Sequence, residues 1–221
     1  MFDKLLSILA PHHCYECGKI GVLLCESCKY NIINDRERFC IVCQKPTNRD
    51  GVCSHCKPSY EKAFYGGTRE GVIARLVDDY KFNRVFAGRF VCSEILDAVV
   101  PLLPPSTIIV PVPTIRAHIR QRGYDQVLGF TKEFARKRNL QVKQLLERKT
   151  TTVQRGASAK QRREQAKHAF VCREKLDSEC TYLLVDDVFT TGATIEFAAQ
   201  TLRAAGAENI WVAVVARQTL D

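Results

Sequence analysis

Long apolar runs are missing from this chain. None of its 221 residues belongs to a stretch near the roughly 18 apolar positions that a membrane-spanning helix needs, so no membrane span is expected. The opening Met1-Phe-Asp-Lys-Leu-Leu-Ser-Ile-Leu9 carries an acid at its third position and is too short for a secretory signal. A cytoplasmic protein is the expectation, and without export to an oxidising compartment disulfides are disfavoured. Two nucleotide fingerprints are missing as well. No Gly-Lys-Ser/Thr follows the one candidate phosphate turn, which excludes a Walker loop. That turn has a single glycine, which excludes the dinucleotide motif.

What is present fits a globular chain with a real core. Apolar residues make up 46 % and charged residues 26 %, enough for one ordinary domain and a small appendage. The net charge of +9 is unevenly spread. Residues 114–175 hold 17 basic and five acidic side chains, whereas residues 176–221 hold two basic and seven acidic. A local excess of that size points to a polyanionic partner or substrate, against the alternative of a solvated basic face.

Eight of the eleven cysteines lie between residues 14 and 56, in four Cys-x-x-Cys pairs: Cys14/Cys17, Cys25/Cys28, Cys40/Cys43 and Cys53/Cys56. The two-residue gap lets both thiolates of one turn face a single ion, and two pairs complete a tetrahedral shell. Two zinc ions are therefore expected. Pairing first with second and third with fourth closes each hairpin locally and is preferred to a cross-brace. His12, His13 and His55 are bystanders beside four complete pairs. Cys92, Cys172 and Cys180 have no partner at metal spacing, and Cys92 reads as core.

Further on, Ile73, Leu76, Val77 and Tyr80 recur at helical spacing, and a second helical run covers residues 87–103. Strands are expected at 107–110, 182–185 and 210–215, with helices at 126–138 and 194–205 and a long basic loop over 147–167. Alternating helices and wholly apolar strands predict a mostly parallel sheet covered on both faces. A boundary is expected near residue 60, with a double zinc ribbon over 1–60 and the sheet domain over 61–221.

The strand ending at Val185 runs into Asp186-Asp187 and then Thr190-Thr-Gly-Ala-Thr194, at the carboxyl edge where open α/β sheets bind ligands. Hydroxyls and orphan amides at a helix N-terminus suit a phosphate. The two carboxylates repel phosphate and suit sugar hydroxyls or magnesium instead. A ligand with a phosphate at one end and vicinal hydroxyls beside it satisfies both.

Val185-Asp-Asp-Val-Phe-Thr-Thr-Gly-Ala-Thr194 resembles the phosphoribosyl pyrophosphate signature of type I phosphoribosyltransferases. The whole chain resembles the ComF competence family, on the four cysteine pairs together with Tyr80-Lys-Phe82, Val110-Pro-Val-Pro113, Gln121-Arg-Gly-Tyr-Asp-Gln126, Gln154, Arg163 and Ala169-Phe170. The resemblance implies an α/β type I phosphoribosyltransferase fold behind an N-terminal double zinc ribbon. By the same resemblance Asp186 and Asp187 hold the ribose hydroxyls, directly or through magnesium, and Thr190, Thr191, Gly192, Ala193 and Thr194 wrap the 5-phosphate. Arg120 and Arg122 lie near the pyrophosphate, and Gln154 and Arg163 belong to a hood that closes over the site. The implied role is DNA uptake in natural transformation, with single-stranded DNA and a competence helicase or translocase as partners.

Three positions depart from the family pattern. Asp125 and Ala166 stand where asparagine is usual, and Thr190 stands where purine-salvage relatives carry an acidic base, which disfavours 6-oxopurine salvage. Two other readings fit the same residues. One is a metabolic phosphoribosyltransferase acting on a nucleobase or small metabolite, and the other is a non-catalytic nucleotide-sensing module.

Overall fold

The computed structural model describes residues 12–34, 39–47, 50–83, 85–149 and 169–219. The elements run α1 (Glu26–Asn34), β1 (Lys62–Tyr65), α2 (Gly71–Phe82), α3 (Gly88–Val99), β2 (Ile108–Pro111), α4 (Arg116–Arg122), α5 (Gln126–Arg138), β3 (Gln141–Val142), β4 (Leu146–Arg148), β5 (Phe170–Cys172), β6 (Thr181–Phe189), α6 (Ala193–Ala204) and β7 (Asn209–Arg217). The main sheet has the order β1-β7-β6-β2-β3, and every pair in it is parallel. A short antiparallel hairpin, β4 with β5, stands apart from it.

The two-residue period of the strands divides the core in two. Leu183, Val185, Ala213 and Val215 face one way, into a cluster with Ile73, Leu76 and Tyr80 of α2, Ile95 of α3 and Phe130 of α5. Tyr182, Leu184, Val212 and Val214 face the other way, against Ile195 and Ala199 of α6 and Leu146 and Phe170 of the hairpin. Both sheet faces are covered, as the apolar strands required.

Each ribbon joins a different face. Cys14, Leu23, Leu24, Cys25 and Cys28 are buried in the first cluster, Ile41 and Val52 in the second. Lys29, buried on α1, ties the first ribbon to Glu94 of α3 at 2.9 Å. Asp50 in the second accepts Lys62 of β1 at 2.7 Å, and its carbonyl accepts the Ala63 amide.

Two expectations change. The strand read as 182–185 runs to Phe189, because its ladder with β7 continues past the carboxylates through Val188↔Ala216 and Phe189↔Arg217. The loop expected over 147–167 opens inside a strand, since Glu147 and Arg148 pair with Val171 and Phe170. Pairing with a distant strand, which local polarity does not reveal, makes the difference.

Candidate functional site

The eight predicted metal ligands assemble as two sets of four. Cys14, Cys17, Cys25 and Cys28 form one and Cys40, Cys43, Cys53 and Cys56 the other, with the sulfurs of each set all within 4.8 Å of one another. The Cys17–Cys25 and Cys43–Cys53 sulfurs are 3.7 Å apart, about the edge of a tetrahedron with metal–sulfur bonds of ~2.3 Å. The sets therefore pair sequentially, and each fits one tetrahedral ion.

The two ribbons repeat one construction. The amide of Cys14 donates to the Lys19 carbonyl, and Gly18 donates back to Cys14; Cys40, Lys45 and Gln44 do the same. The fifth residue of each knuckle takes a left-handed backbone, Gly18 at φ 75° and Gln44 at φ 58°. The amides of Cys25 and Cys53 point at the sulfurs of Cys14 and Cys40 at 3.5 and 3.4 Å. Amide donation to sulfur stabilises the thiolate, the form that binds metal. The amides of His55 and Cys56 pull the Cys53 thiol down to about 6.

The second centre lies at the carboxyl end of β6. Consecutive strand residues point to opposite faces, so Asp186 and Asp187 meet different neighbours. Asp187 is buried on the side of α2 and α5, where Lys81 pairs with it at 2.7 Å and the Gln126 amide donates to the same oxygen at 3.2 Å. Asp186 accepts the Asp187 backbone amide at 2.8 Å. Burial, with the neighbouring Asp187 charge, pushes the Asp186 carboxyl up to about 8, against the opposing pull of Lys81 and Arg148. Burial also lowers the Arg148 guanidinium, whose Nε is enclosed without a hydrogen-bond partner among the described residues.

The turn after β6 stays open. Thr190, Thr191 and Ala193 are exposed, and Gly192 reverses the chain at φ 78° to start α6. A Cβ on Gly192 would sit 2.4 Å from the Phe189 ring. The turn thus presents hydroxyls and first-turn amides of α6 beside two carboxylates, the combination that suits an anion next to hydroxyls.

Arg122 is buried on α4 with Nη1 unpartnered, its guanidinium 5.2 Å from the Phe82 ring centre. Phe82 directly follows Lys81, the residue that pairs with Asp187. Arg120 is exposed on the same helix and makes no ion pair among the described residues. Gln154 and Arg163 lie outside the described residues. A cleft of about 210 Å³ opens between the exit of β2 and β4, lined by Thr114, Arg116, Asp125, Gln144 and Arg148 among others. A larger one, about 830 Å³, lies between the first ribbon and the ends of β1 and β7, and of the predicted site residues only Cys28 lines it.

Lys81 and Gln126 belong to the motifs Tyr80-Lys-Phe82 and Gln121-Arg-Gly-Tyr-Asp-Gln126, which alone assign them no role; the structure places both on Asp187. Arg148 carried no signal, being one cation in a basic stretch. Asp125, the departure from asparagine, caps α5 by accepting the Leu128 amide at 3.1 Å and the Thr114 hydroxyl at 2.9 Å on one oxygen. An asparagine carbonyl could accept both.

Fold and site define an α/β protein in which two four-cysteine centres flank a parallel sheet with an acidic carboxyl edge beside a hydroxyl-rich turn. No family model matches the chain. Competence protein F of Haemophilus influenzae is 30 % identical over 222 residues, spanning 87 % of this chain and 96 % of that protein. The chain belongs to the ComF family of competence proteins. The parallel sheet, its flanking helices and the two four-cysteine groups are the architecture expected of a type I phosphoribosyltransferase domain joined to a double ribbon. A solved structure, that of "the allosteric regulatory enzyme of purine biosynthesis", aligns with 57 % of this chain and 25 % of its own, at 16 % identity and a TM-score of 0.41. The chain therefore spans a quarter of that enzyme. No helix among the described residues is long and apolar enough to cross a membrane.

Proposed function

We propose that the protein binds phosphoribosyl pyrophosphate with magnesium at the carboxyl edge of β6 and acts in the uptake of DNA, holding single-stranded DNA in the cytoplasm. The observation that carries the pocket is Asp187 buried against Lys81 and Gln126 while Asp186, on the opposite face, adjoins an open hydroxyl-rich turn. Lys81 balances the Asp187 charge. When magnesium and the phosphosugar bind, Asp186 and Asp187 take the ribose hydroxyls, and the Thr190–Thr194 turn takes the 5-phosphate. Arg122 and Arg120 stand on the pyrophosphate side, and Gln154 and Arg163 belong to the covering hood. Two zinc ions hold the ribbons. The DNA role is supported by family membership and by the basic excess of residues 114–175.

Thermal melting tests the pocket. A ligand that binds only the native state stabilises it by about 2.7 kcal/mol at a hundredfold excess over the dissociation constant. Wild type should therefore melt higher with magnesium and phosphoribosyl pyrophosphate, and Asp187→Asn should lose that shift while the unliganded protein stays folded. A wild type that shows no shift at saturating ligand would sink the pocket. Pyrophosphate release in the presence of a panel of nucleobases tells a metabolic transferase from a binding protein.

A further inference from the structure

Three phenylalanines lie exposed along the passage from α2 into α3. Phe82 ends α2, Phe86 sits in the following turn and Phe90 opens α3, at 62 %, 52 % and 41 % exposure. Water-exposed phenylalanines spaced four apart are costly unless something covers them. Each has an aromatic or guanidinium neighbour. Arg122 lies 5.2 Å from the Phe82 ring centre, Arg89 lies 4.5 Å from that of Phe90, and Tyr124 stacks obliquely on Phe86 at 5.0 Å. The Tyr124 hydroxyl donates to the Tyr80 carbonyl, and the Tyr80 hydroxyl donates to the Gln126 carbonyl. The rings therefore stand on a fixed base.

The charge around them chooses the occupant. Arg122 is buried, yet its Nη1 has no acceptor. That nitrogen is already shielded from water, so the exposed cations on the same helix set the charge that an occupant meets. Arg116 and Arg120 stand exposed on the same short helix and make no ion pair among the described residues. Flat faces for stacking, edged by unpaired guanidiniums, match a polyanion that carries planar bases.

We infer that Phe82, Phe86 and Phe90 form a base-stacking track for single-stranded DNA, with the exposed Arg116 and Arg120 of α4 taking its phosphates. Phe82 directly follows Lys81, which pairs with Asp187. This inference rests on the single-stranded DNA reading above and joins base platforms outside the basic segment to arginines at its start.

Fluorescence anisotropy with labelled oligo-dT and with an abasic oligonucleotide of equal length, at low salt, tests it on the full zinc-loaded chain. The Phe82→Ala/Phe86→Ala/Phe90→Ala variant should lose about tenfold or more in affinity for oligo-dT, the size of a lost base stack, and keep wild-type affinity for the abasic strand. Its melting point and zinc content report folding. Independently, Phe86→Trp should place a tryptophan whose fluorescence oligo-dT quenches at the binding midpoint, against the background of Trp211. If wild type binds oligo-dT and the triple variant binds it equally well, the track is wrong while the DNA reading stands. If the triple variant changes only the oligomeric state, the rings are a protein interface and the inference falls. If wild type binds no DNA at all, the underlying reading falls with it.

Discussion

Asp186 and Asp187 are neighbours in sequence with opposite electrostatics. Asp187 has a cation at 2.7 Å, whereas the one close donor to Asp186 among the described residues is its neighbour's backbone amide. Burial and the Asp187 charge raise the Asp186 value from the ordinary carboxylate range to about 8. Because the folded value exceeds the unfolded one, the folded state holds more protons between about pH 4 and about pH 8, and stability falls as pH rises through that window. In magnesium-free buffer the melting midpoint of wild type should drop across this range more steeply than that of Asp186→Asn. Equal slopes would show that Asp186 ionises freely. Gly192 makes a second single-residue case. A left-handed backbone costs a side-chain-bearing residue roughly 1–2 kcal/mol, and the Phe189 ring leaves no room for the Cβ. Gly192→Ala should therefore lower the melting point and weaken the ligand-induced shift together.

Among the elements, α5 shows what caps are worth. Asp125 accepts the Leu128 amide and the Thr114 hydroxyl, and Asn139 closes the helix at φ 52°. Asp125→Ala should cost about 1 kcal/mol, as lost N-caps do, while Asp125→Asn should stay within a few tenths; chemical denaturation checks both. That helix was legible end to end, since Val127, Phe130, Thr131, Phe134 and Ala135 mark one face between two capping residues. The buried strands were legible as apolar runs, and the metal sites as spacing. β1 was not: Lys62-Ala-Phe-Tyr65 is short and mixed, and its strand is set by pairing with β7. Nor was α4, where Arg116-Ala-His-Ile-Arg-Gln-Arg122 shows no apolar stripe. At the site, Asp186, Asp187 and the turn could be read locally. The attachment of Lys81 and Gln126 to Asp187 could not, because it brings together residues from three distant elements.

Across the whole molecule the two ribbons are bound into the two halves of the core. Cys14 is buried with Ile73 and Leu76, while Ile41 of the second ribbon packs with Tyr60 and Val214. The second ribbon also reaches the phosphate turn through hydrogen bonds. Gln44 donates to the Gln218 carbonyl at 3.1 Å, and the Gln218 amide donates to the Phe189 carbonyl at 2.7 Å, one residue before Thr190. Just beyond that ribbon, the Ser59 hydroxyl and amide bind Glu196 in the first turn of α6 at 2.6 and 3.0 Å. Small modules built on four cysteines take much of their folding energy from the ion. Loss of either ion should thus lower one shared unfolding transition rather than melt a ribbon alone. Cys14→Ser and Cys53→Ser should each reduce zinc from two per chain to one, read by elemental analysis. They should differ in function. Cys53→Ser should weaken the shift by phosphoribosyl pyrophosphate, because its ribbon holds Gln218 and adjoins Ser59. Cys14→Ser should leave that shift closer to wild type, since its ribbon is buried against α2 and α3 instead. Equal losses of ligand binding in the two variants would overturn the one-sided linkage, and two separate melting transitions would overturn the shared core.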